Sequence, residues 1–424
     1  MPFSLLGFSL DSLPAFLRAL SEKGYVAPTA IQSAAIPAIL QGRDVVGSAQ
    51  TGSGKTAAFA LPLLQQLIHL SGGVAVSSKV PRRTHGLILV PTRELAAQVG
   101  EAIVSFAKYL PQRIKVAVVF GGVSINPQML NLRGGADIVV ATPGRLIDLL
   151  EQNALKVSNV QTLVLDEADR LLDMGFGEEL GRILAMMPVK RQNLFFSATF
   201  PPEINALASV MLHNPLRVEV KSEPEGEPDI TQRAIEVDSS RRTQLLRHLV
   251  QTEKWKQVLV FVATKHATEI VADKLRKVHI VAEPFHGELS QGKRNQVLQD
   301  FKAKKLQVVV ATDVAARGLD IVQLPVVVNY DLPRSIIDYT HRIGRTGRAG
   351  NSGVAISFVS VNTESHFKLI EKHHQVNVPR EQITGFEPVE SLSPTPPIRD
   401  TNGGIKGKRP SKKDKLREAA ARET

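Results

Sequence analysis

Ala49-Gln50-Thr51-Gly52-Ser53-Gly54-Lys55-Thr56 decides how the rest of the chain is read. It follows a short apolar run, Asp44-Val45-Val46-Gly47-Ser48, and leads into Ala57-Ala58-Phe59-Ala60-Leu61. That is the strand–turn–helix setting in which a Gly-bearing loop cradles phosphate. Gly52 and Gly54 allow a tight turn that aims backbone N–H groups inward, and the helix N-terminus adds partial positive charge. In such a loop Lys55 reaches the β- and γ-phosphates, and the Thr56 hydroxyl helps hold Mg²⁺. The first glycine of the general pattern is Ala49 here. Taken alone, the stretch could also be a Gly-rich turn with a surface lysine, so its surroundings matter.

The chain has 424 residues and a formal net charge of +11. Its length predicts about two to three domains. Residues 403–424 carry eight Lys/Arg against Asp414, Glu418 and Glu423, a net +5 that leaves +6 on the body. A charge spread in this way points to a polyanionic partner, although a basic surface that binds nothing would look the same. With no cysteine, disulfides, thiol chemistry and Cys-based zinc sites are excluded. Met1-Pro2-Phe3-Ser4-Leu5-Leu6 lacks the basic leader of a secretory signal, and Asp11 follows early. No apolar run approaches the ~18–20 residues that cross a bilayer. The expectation is a soluble, cytoplasmic protein with no membrane partner.

Leu13, Phe16, Leu17 and Leu20 fall at helical spacing, as do Ile31, Ala35 and Ile39. Short apolar runs then alternate with helical patterns: Val45-Val46, Leu87–Val90, Val116–Phe120, Ile138–Val140, Leu163–Leu165 and Leu194–Phe196. Continuous apolar strands suit a parallel sheet covered by helices on both faces, whose chemistry sits at the carboxyl ends of the strands. Pro62 predicts a kink in the helix after the loop, or its early end. A polar Pro/Gly-rich stretch around Lys221–Asp229 reads as a linker. Strand–helix alternation resumes at Val258–Val262, Val308–Val310, Val326–Val328 and Val354–Val359, without a second phosphate loop. The expected domains are residues 1–220 and 232–380, joined by a linker at 221–231. Residues 381–424 are expected to form an irregular, basic, mostly disordered tail with a latent short helix at 416–422. Lys406, Lys408, Arg409, Lys412, Lys413 and Lys415 would tether a polyanion such as a nucleic acid without sequence preference.

Asp166-Glu167-Ala168-Asp169 closes the strand Thr162-Leu163-Val164-Leu165. Acids at the end of a buried strand are costly unless metal or catalysis uses them. Asp166 suits the Mg²⁺ shell, and Glu167 suits orienting and deprotonating an attacking water. Together with residues 49–56, this run resembles the DEAD-box RNA helicases of superfamily 2. The resemblance spans nearly all of residues 1–380, in the family's order. Pro91-Thr92-Arg93-Glu94-Leu95-Ala96, Gly121-Gly122, Thr142-Pro143-Gly144-Arg145 and Ser197-Ala198-Thr199 carry it in the first half. Ala311-Thr312-Asp313, Ala315-Ala316-Arg317-Gly318-Leu319-Asp320 and His341-Arg342-Ile343-Gly344-Arg345-Thr346-Gly347-Arg348 carry it in the second. Phe120–Gln128 and Asp173-Met174-Gly175-Phe176 are similar to the bacterial RhlE-type subgroup.

The resemblance implies two tandem RecA-like domains, each a mainly parallel sheet covered by helices, and an RNA-stimulated ATPase. ATP and Mg²⁺ are its implied cofactors. Gln32, with Tyr25 and the upstream Phe8, resembles the adenine-reading motif; a Gln amide matches adenine's N6/N7 edge and Phe8 could stack on the base. Ala49, Gln50, Thr51, Gly52, Ser53, Gly54, Lys55 and Thr56 would take the phosphates, and Asp320 the ribose hydroxyls. Ser197 and Thr199 would hydrogen-bond the acids and sense the γ-phosphate. Arg345 and Arg348 resemble arginine fingers supplied across a cleft; read alone, they could equally be a basic surface turn. Implied RNA contacts are Arg93, Gly121, Gly122, Thr142 and Arg145 in the first domain, and Thr264, Gly287, Arg294, Thr312 and Asp313 in the second. These are small or basic residues suited to backbone more than base contact.

Ala263 and Glu288 depart from the family pattern near these second-domain contacts. His266, His286 and His341 have no metal-ligand spacing and read as structural or RNA-facing. The implied function is local unwinding of short RNA duplexes, or remodelling of RNA–protein complexes, by closure of two domains around ATP and RNA. The subgroup points towards ribosomal precursors and RNA decay. Two rivals stay open, an ATP-gated RNA clamp with little unwinding and a DNA translocase.

Overall fold

The computed structural model describes residues 2–49, 52–70, 81–219, 230–316, 324–347 and 352–390. The chain forms two domains, each built on one sheet in which every strand pair is parallel. The N-terminal sheet contains β1 (Val45–Ser48), β2 (Gly86–Leu89), β3 (Val116–Val119), β4 (Ile138–Ala141), β5 (Thr162–Asp166), β6 (Gln192–Ser197) and β7 (Leu216–Glu219). Its order is β3-β4-β2-β5-β6-β1-β7. The C-terminal sheet contains β8 (Ile230–Glu236), β9 (Val258–Phe261), β10 (Ala282–Phe285), β11 (Val308–Ala311), β12 (Val326–Asn329), β13 (Gly353–Val359) and β14 (Arg380–Glu381), in the order β10-β11-β9-β12-β13-β8-β14.

Alternate residues of each central strand enter different cores. Ile88, Val140, Val164 and Phe196 pack on one face of the first sheet, while Leu87, Leu89, Val139, Leu163 and Phe195 pack on the other. In the second sheet Val258, Val260, Val308 and Val310 separate in the same way from Leu259, Phe261, Val309 and Val327. Burial on both faces is why these strands read as unbroken apolar runs.

The structure departs from the sequence reading in several places. Helix Lys55–Leu70 runs through Pro62 and so does not end early there. The neighbours Leu61, Leu63 and Leu64 are all buried, and their packing holds the helix across the hydrogen bond that proline cannot make. Strands β7, β8, β10 and β14 carry no apolar run; β10 includes Pro284, which an edge strand tolerates. Because β8 begins at Ile230, the last two residues of the expected linker are already strand; residues 220–229 lie outside the described residues. The expected tail also starts too early. Arg380 and Glu381 pair with β8, and the Asp238 carboxylate accepts the N–H groups of Val389 and Glu390 at 3.0 Å. Residues 391–424 lie outside the described residues. Among the described residues, no helix is long and apolar enough to cross a membrane.

Candidate functional site

Neighbouring strands bring the candidate nucleotide residues together. In the order β5-β6-β1, Asp166 pairs with Phe196 and Ser197 with Ser48, so the carboxyl ends of three strands finish side by side. Glu167, Thr199 and Lys55 follow at those ends. Gly52 and Gly54 take φ of 87° and 93°, conformations a side chain would strain. A Cβ on Gly54 would also collide with the amide of Gln32. Gln32 is fully buried at the first turn of helix Ala30–Leu40. Its Oε1 accepts the Thr29 N–H at 3.0 Å, and its Nε2 donates to the Gly54 carbonyl at 3.0 Å. The amide assigned to adenine thus also braces the loop. Phe8 is buried with its ring 5.3 Å from that of Phe16, and Tyr25 sits edge-on to Phe106 at 6.1 Å. Gln50, Thr51, Asp320 and Arg348 lie outside the described residues.

The loop fits a phosphate chain. Lys55 Nζ is buried and donates to the Ala49 carbonyl at 2.8 Å, and the Ser53 hydroxyl is buried without a hydrogen-bond partner. Both donors would find acceptors in phosphate oxygens. Thr56 and Asp166 add hard oxygen donors, a set suited to Mg²⁺ shared with substrate phosphates. Among the described residues, no cluster of three or more His, Cys, Asp or Glu could hold a metal by itself. Burial pushes the Asp166 carboxyl up to about 6, against the pull of Lys55; a bound cation would favour its charged form.

The acid that meets Ser197 and Thr199 is Asp169. Its Oδ2 accepts the Thr199 hydroxyl at 2.7 Å and the Thr199 N–H at 3.1 Å, while Ser197 Oγ accepts the Asp169 N–H at 3.2 Å. Glu167 adopts a left-handed conformation at φ 51°, uncommon for a residue with a side chain. Arg170, absent from the sequence reading, donates Nη1 to Glu167 Oε2 at 2.9 Å.

From the other domain, helix Ile336–Ile343 presents His341 and leads into Arg345, which is buried. His341 lies within electrostatic reach of Arg170 and Asp169 in the N-terminal domain as well as of Arg345. Burial, then Arg170, holds this imidazole down at about 4, below its ordinary 6.5. Between these two values the unfolded chain binds more protons than the folded one, so stability falls as pH drops from about 6.5 towards 4. Moving from pH 7 to pH 5 should cost about 2 kcal/mol through this ring. Denaturant unfolding at both pH values should show that His341→Gln removes this part of the slope; an unchanged slope would refute the assignment.

The candidate RNA residues occupy the other half of each sheet, after β2, β3 and β4 and after β9, β10 and β11. Thr92 and Thr264 each cap a following helix, accepting the N–H of Leu95 and Ala267 respectively. Gly122, at φ 74°, lies flush against the Arg93 guanidinium, where a Cβ would overlap it. Gln128 fixes this loop by exchanging two hydrogen bonds with the Phe120 backbone. Gly121 N–H donates to the Thr142 hydroxyl at 3.3 Å. Arg145 is buried, donating to the Val123 carbonyl at 2.8 Å, and its Nη1 has no hydrogen-bond partner. Thr264 and Gly287 are exposed and Thr312 half-buried. Glu288 is ion-paired with Lys265 beside them.

Two candidates are engaged with other protein groups. Asp313 is gripped by Arg342, Nε to Oδ1 at 2.5 Å and Nη2 to Oδ2 at 2.6 Å. Arg294 reaches across the domain boundary to Glu94, Nη2 to Oε1 at 2.8 Å, with both side chains 5% exposed. Removing one member of a buried pair leaves the other charge stranded, at about 3–5 kcal/mol. Arg294→Ala should therefore open the domain boundary, lowering RNA affinity in the presence of a non-hydrolysable ATP analogue about 10²-fold or more. ATP affinity without RNA should change little. Replacing both partners, Glu94→Leu with Arg294→Met, should restore much of the loss; a double variant as weak as Arg294→Ala would show that the pair is not the reason.

Comparison with known proteins agrees with this geometry. The DEAD/DEAH box helicase family model matches residues 29–207, and that of the helicase conserved C-terminal domain matches residues 241–350. The chain is 44% identical over 378 residues to ATP-dependent RNA helicase DeaD of Mycobacterium tuberculosis, covering 89% of this chain and 65% of that protein. It is 40% identical over 370 residues to DEAD-box ATP-dependent RNA helicase CshA of Bacillus cereus, covering 87% and 67%. It thus spans about two thirds of the length of these relatives. S. cerevisiae Dbp5 bound to RNA and ADP BeF3 superposes with a TM-score of 0.76 at 29% identity, covering 90% of this chain and 95% of that one. The glycine-bearing loop with Lys55 and the acids at the end of β5 lie in the first matched segment and helix Ile336–Ile343 with Arg345 in the second, and the chain belongs to the DEAD-box ATP-dependent RNA helicase family.

Proposed function

We propose that the chain is an ATP- and Mg²⁺-dependent RNA helicase that locally opens short duplexes, or remodels RNA–protein complexes, as its two domains close. The observation that supports this most is the meeting of the two domains: Arg294 Nη2 reaches Glu94 Oε1 at 2.8 Å, and His341, on the helix that leads into Arg345, lies within electrostatic reach of Asp169 and Arg170. Neither domain alone assembles these groups, so closure and hydrolysis are linked.

In this reading the loop 49–56 and Lys55 hold the phosphates, Gln32, Tyr25 and Phe8 the adenine, and Asp320 the ribose. Thr56 and Asp166 would hold Mg²⁺, which supplies charge neutralisation at the phosphates. Glu167 takes a proton from water as the water oxygen bonds to the γ-phosphorus. The bond from that phosphorus to the β-bridging oxygen breaks, and ADP leaves with the electron pair. Arg345 and Arg348 offset charge on the transferring group. Ser197 and Thr199, through Asp169, tie the acidic strand end to β6. Arg93, Gly121, Gly122, Thr142 and Arg145, with Thr264, Gly287, Thr312 and the Arg342-held Asp313, line a path for a sugar–phosphate backbone. Arg294 acts as the clasp on Glu94 that holds this path together. The RhlE-type subgroup, a cytoplasmic location and a role among ribosomal precursors or RNA-decay assemblies follow from the motif resemblance.

The test is ATP hydrolysis by the purified chain, with and without RNA and with DNA of equal length. Strand displacement is followed beside RNA retention. Stimulation by RNA with displacement is the expected result. Equal, negligible turnover in all cases would refute the proposal, and retention without displacement would favour the clamp. Lys55→Ala, which removes a charge-assisted bond to phosphate, should weaken ATP binding about 10- to 10²-fold in calorimetry; wild-type affinity would remove Lys55 from the phosphate site.

A further inference from the structure

We infer that Arg170 is the positioning residue for Glu167, an inference that rests on the hydrolytic reading above. Glu167 is set immediately after β5 in a left-handed backbone conformation, at the start of the short helix Ala168–Asp173. Its main chain is fixed: the N–H donates to Asp166 Oδ1 at 3.0 Å, and the carbonyl accepts the Arg170 N–H at 3.0 Å. Its side chain still has three torsions, and what fixes them is Arg170. Nη1 of Arg170 holds Oε2 at 2.9 Å, with the two side chains only 5% and 7% exposed. Among the described residues no donor reaches the other oxygen, Oε1. One carboxylate oxygen is therefore clamped and the other left to accept a proton, the arrangement a water-activating carboxylate requires. Arg170 has an anchor of its own, since its N–H also donates to Asp169 Oδ1 at 3.1 Å, and Asp169 is held by Thr199. The chain of contacts therefore runs from the β6 end through Asp169 and Arg170 to the clamped oxygen, Oε2, of Glu167.

A buried ion pair of this kind could serve folding alone, so the measurement has to separate the two roles. Single-turnover hydrolysis, with RNA saturating and protein in excess over ATP, reads positioning, while nucleotide affinity and thermal unfolding read structure. Arg170→Met should slow single turnover about 10²-fold, the scale of a misplaced catalytic group, with ATP affinity within about threefold. Arg170→Lys keeps a point charge without the planar fork and should recover part of the rate. In a Glu167→Gln background, adding Arg170→Met should change the residual rate less than about threefold, because residues acting as one unit do not lose rate additively. Wild-type turnover in Arg170→Met, or in Arg170→Lys should the Met variant not fold, overturns the inference, as do additive losses in the double variant. These failures appear against an active wild type; an unchanged protein that does not hydrolyse ATP at all removes the functional reading and this inference with it.

Discussion

Glu167→Gln should bind ATP and RNA nearly as well as the unaltered protein and hydrolyse ATP about 10²- to 10⁴-fold more slowly, the range expected for loss of a general base. The substitution is close to isosteric. The Gln carbonyl oxygen can still accept Arg170 Nη1, as Glu167 Oε2 does at 2.9 Å, so the buried guanidinium keeps a partner. What disappears is the ability to take a proton. The left-handed backbone at Glu167 is retained, and the Asp169 contacts to Ser197 and Thr199 involve other atoms. The variant should therefore accumulate as a closed complex with ATP and RNA, detected as slow RNA release beside lost phosphate production. Turnover within a few-fold of wild type would transfer the water-activating role elsewhere, Asp166 being the nearest alternative.

Arg345→Ala should cost about 10³- to 10⁵-fold in single-turnover rate, the effect of removing an arginine finger, while ATP binding to the N-terminal loop changes only a few-fold. The main-chain ties at this position do not depend on the side chain and are kept in the variant. The Arg345 N–H donates to the Arg342 carbonyl at 3.2 Å, and its own carbonyl accepts the Leu324 N–H at 3.0 Å. Arg345→Lys should rescue little, since a compact ammonium cannot fork onto two phosphate oxygens. Measuring both steps matters. A variant that binds ATP and RNA but does not hydrolyse places the guanidinium at the transition state, whereas one that fails to bind RNA places it in domain closure. A single-turnover rate within tenfold of wild type would retire the finger assignment.

The contrast between Arg345 and Arg294 shows how the two domains depend on one another. Both are arginines of the C-terminal domain with 5% or less exposure. Arg294 ends on a protein carboxylate, Glu94, and so contributes to the stability of the closed arrangement. Arg345 follows the helix that carries His341, and its expected effect is on rate. The two arginines are therefore expected to differ in what their loss changes, RNA-bound closure for Arg294 and hydrolysis rate for Arg345.

The order of the motifs, the parallel α/β class and the nucleotide loop were legible from residue order because each is encoded locally. Val-, Leu- and Ile-rich runs buried on both faces have one economical arrangement, and Gly52 and Gly54 lie next to the lysine they serve. The polar strands β7, β8 and β10 were not legible, because their place is set by neighbours distant in sequence rather than by their own pattern. Which carboxylate meets Thr199, which arginine clamps Glu167, and why Arg294 and Asp313 face Glu94 and Arg342 were decided only in three dimensions. A charged side chain records no preference among possible partners until folding removes water and leaves it the opposite charge within reach. Residue order determined that acids and arginines are present near strand ends, and the packing of two sheets determined which pairs they form.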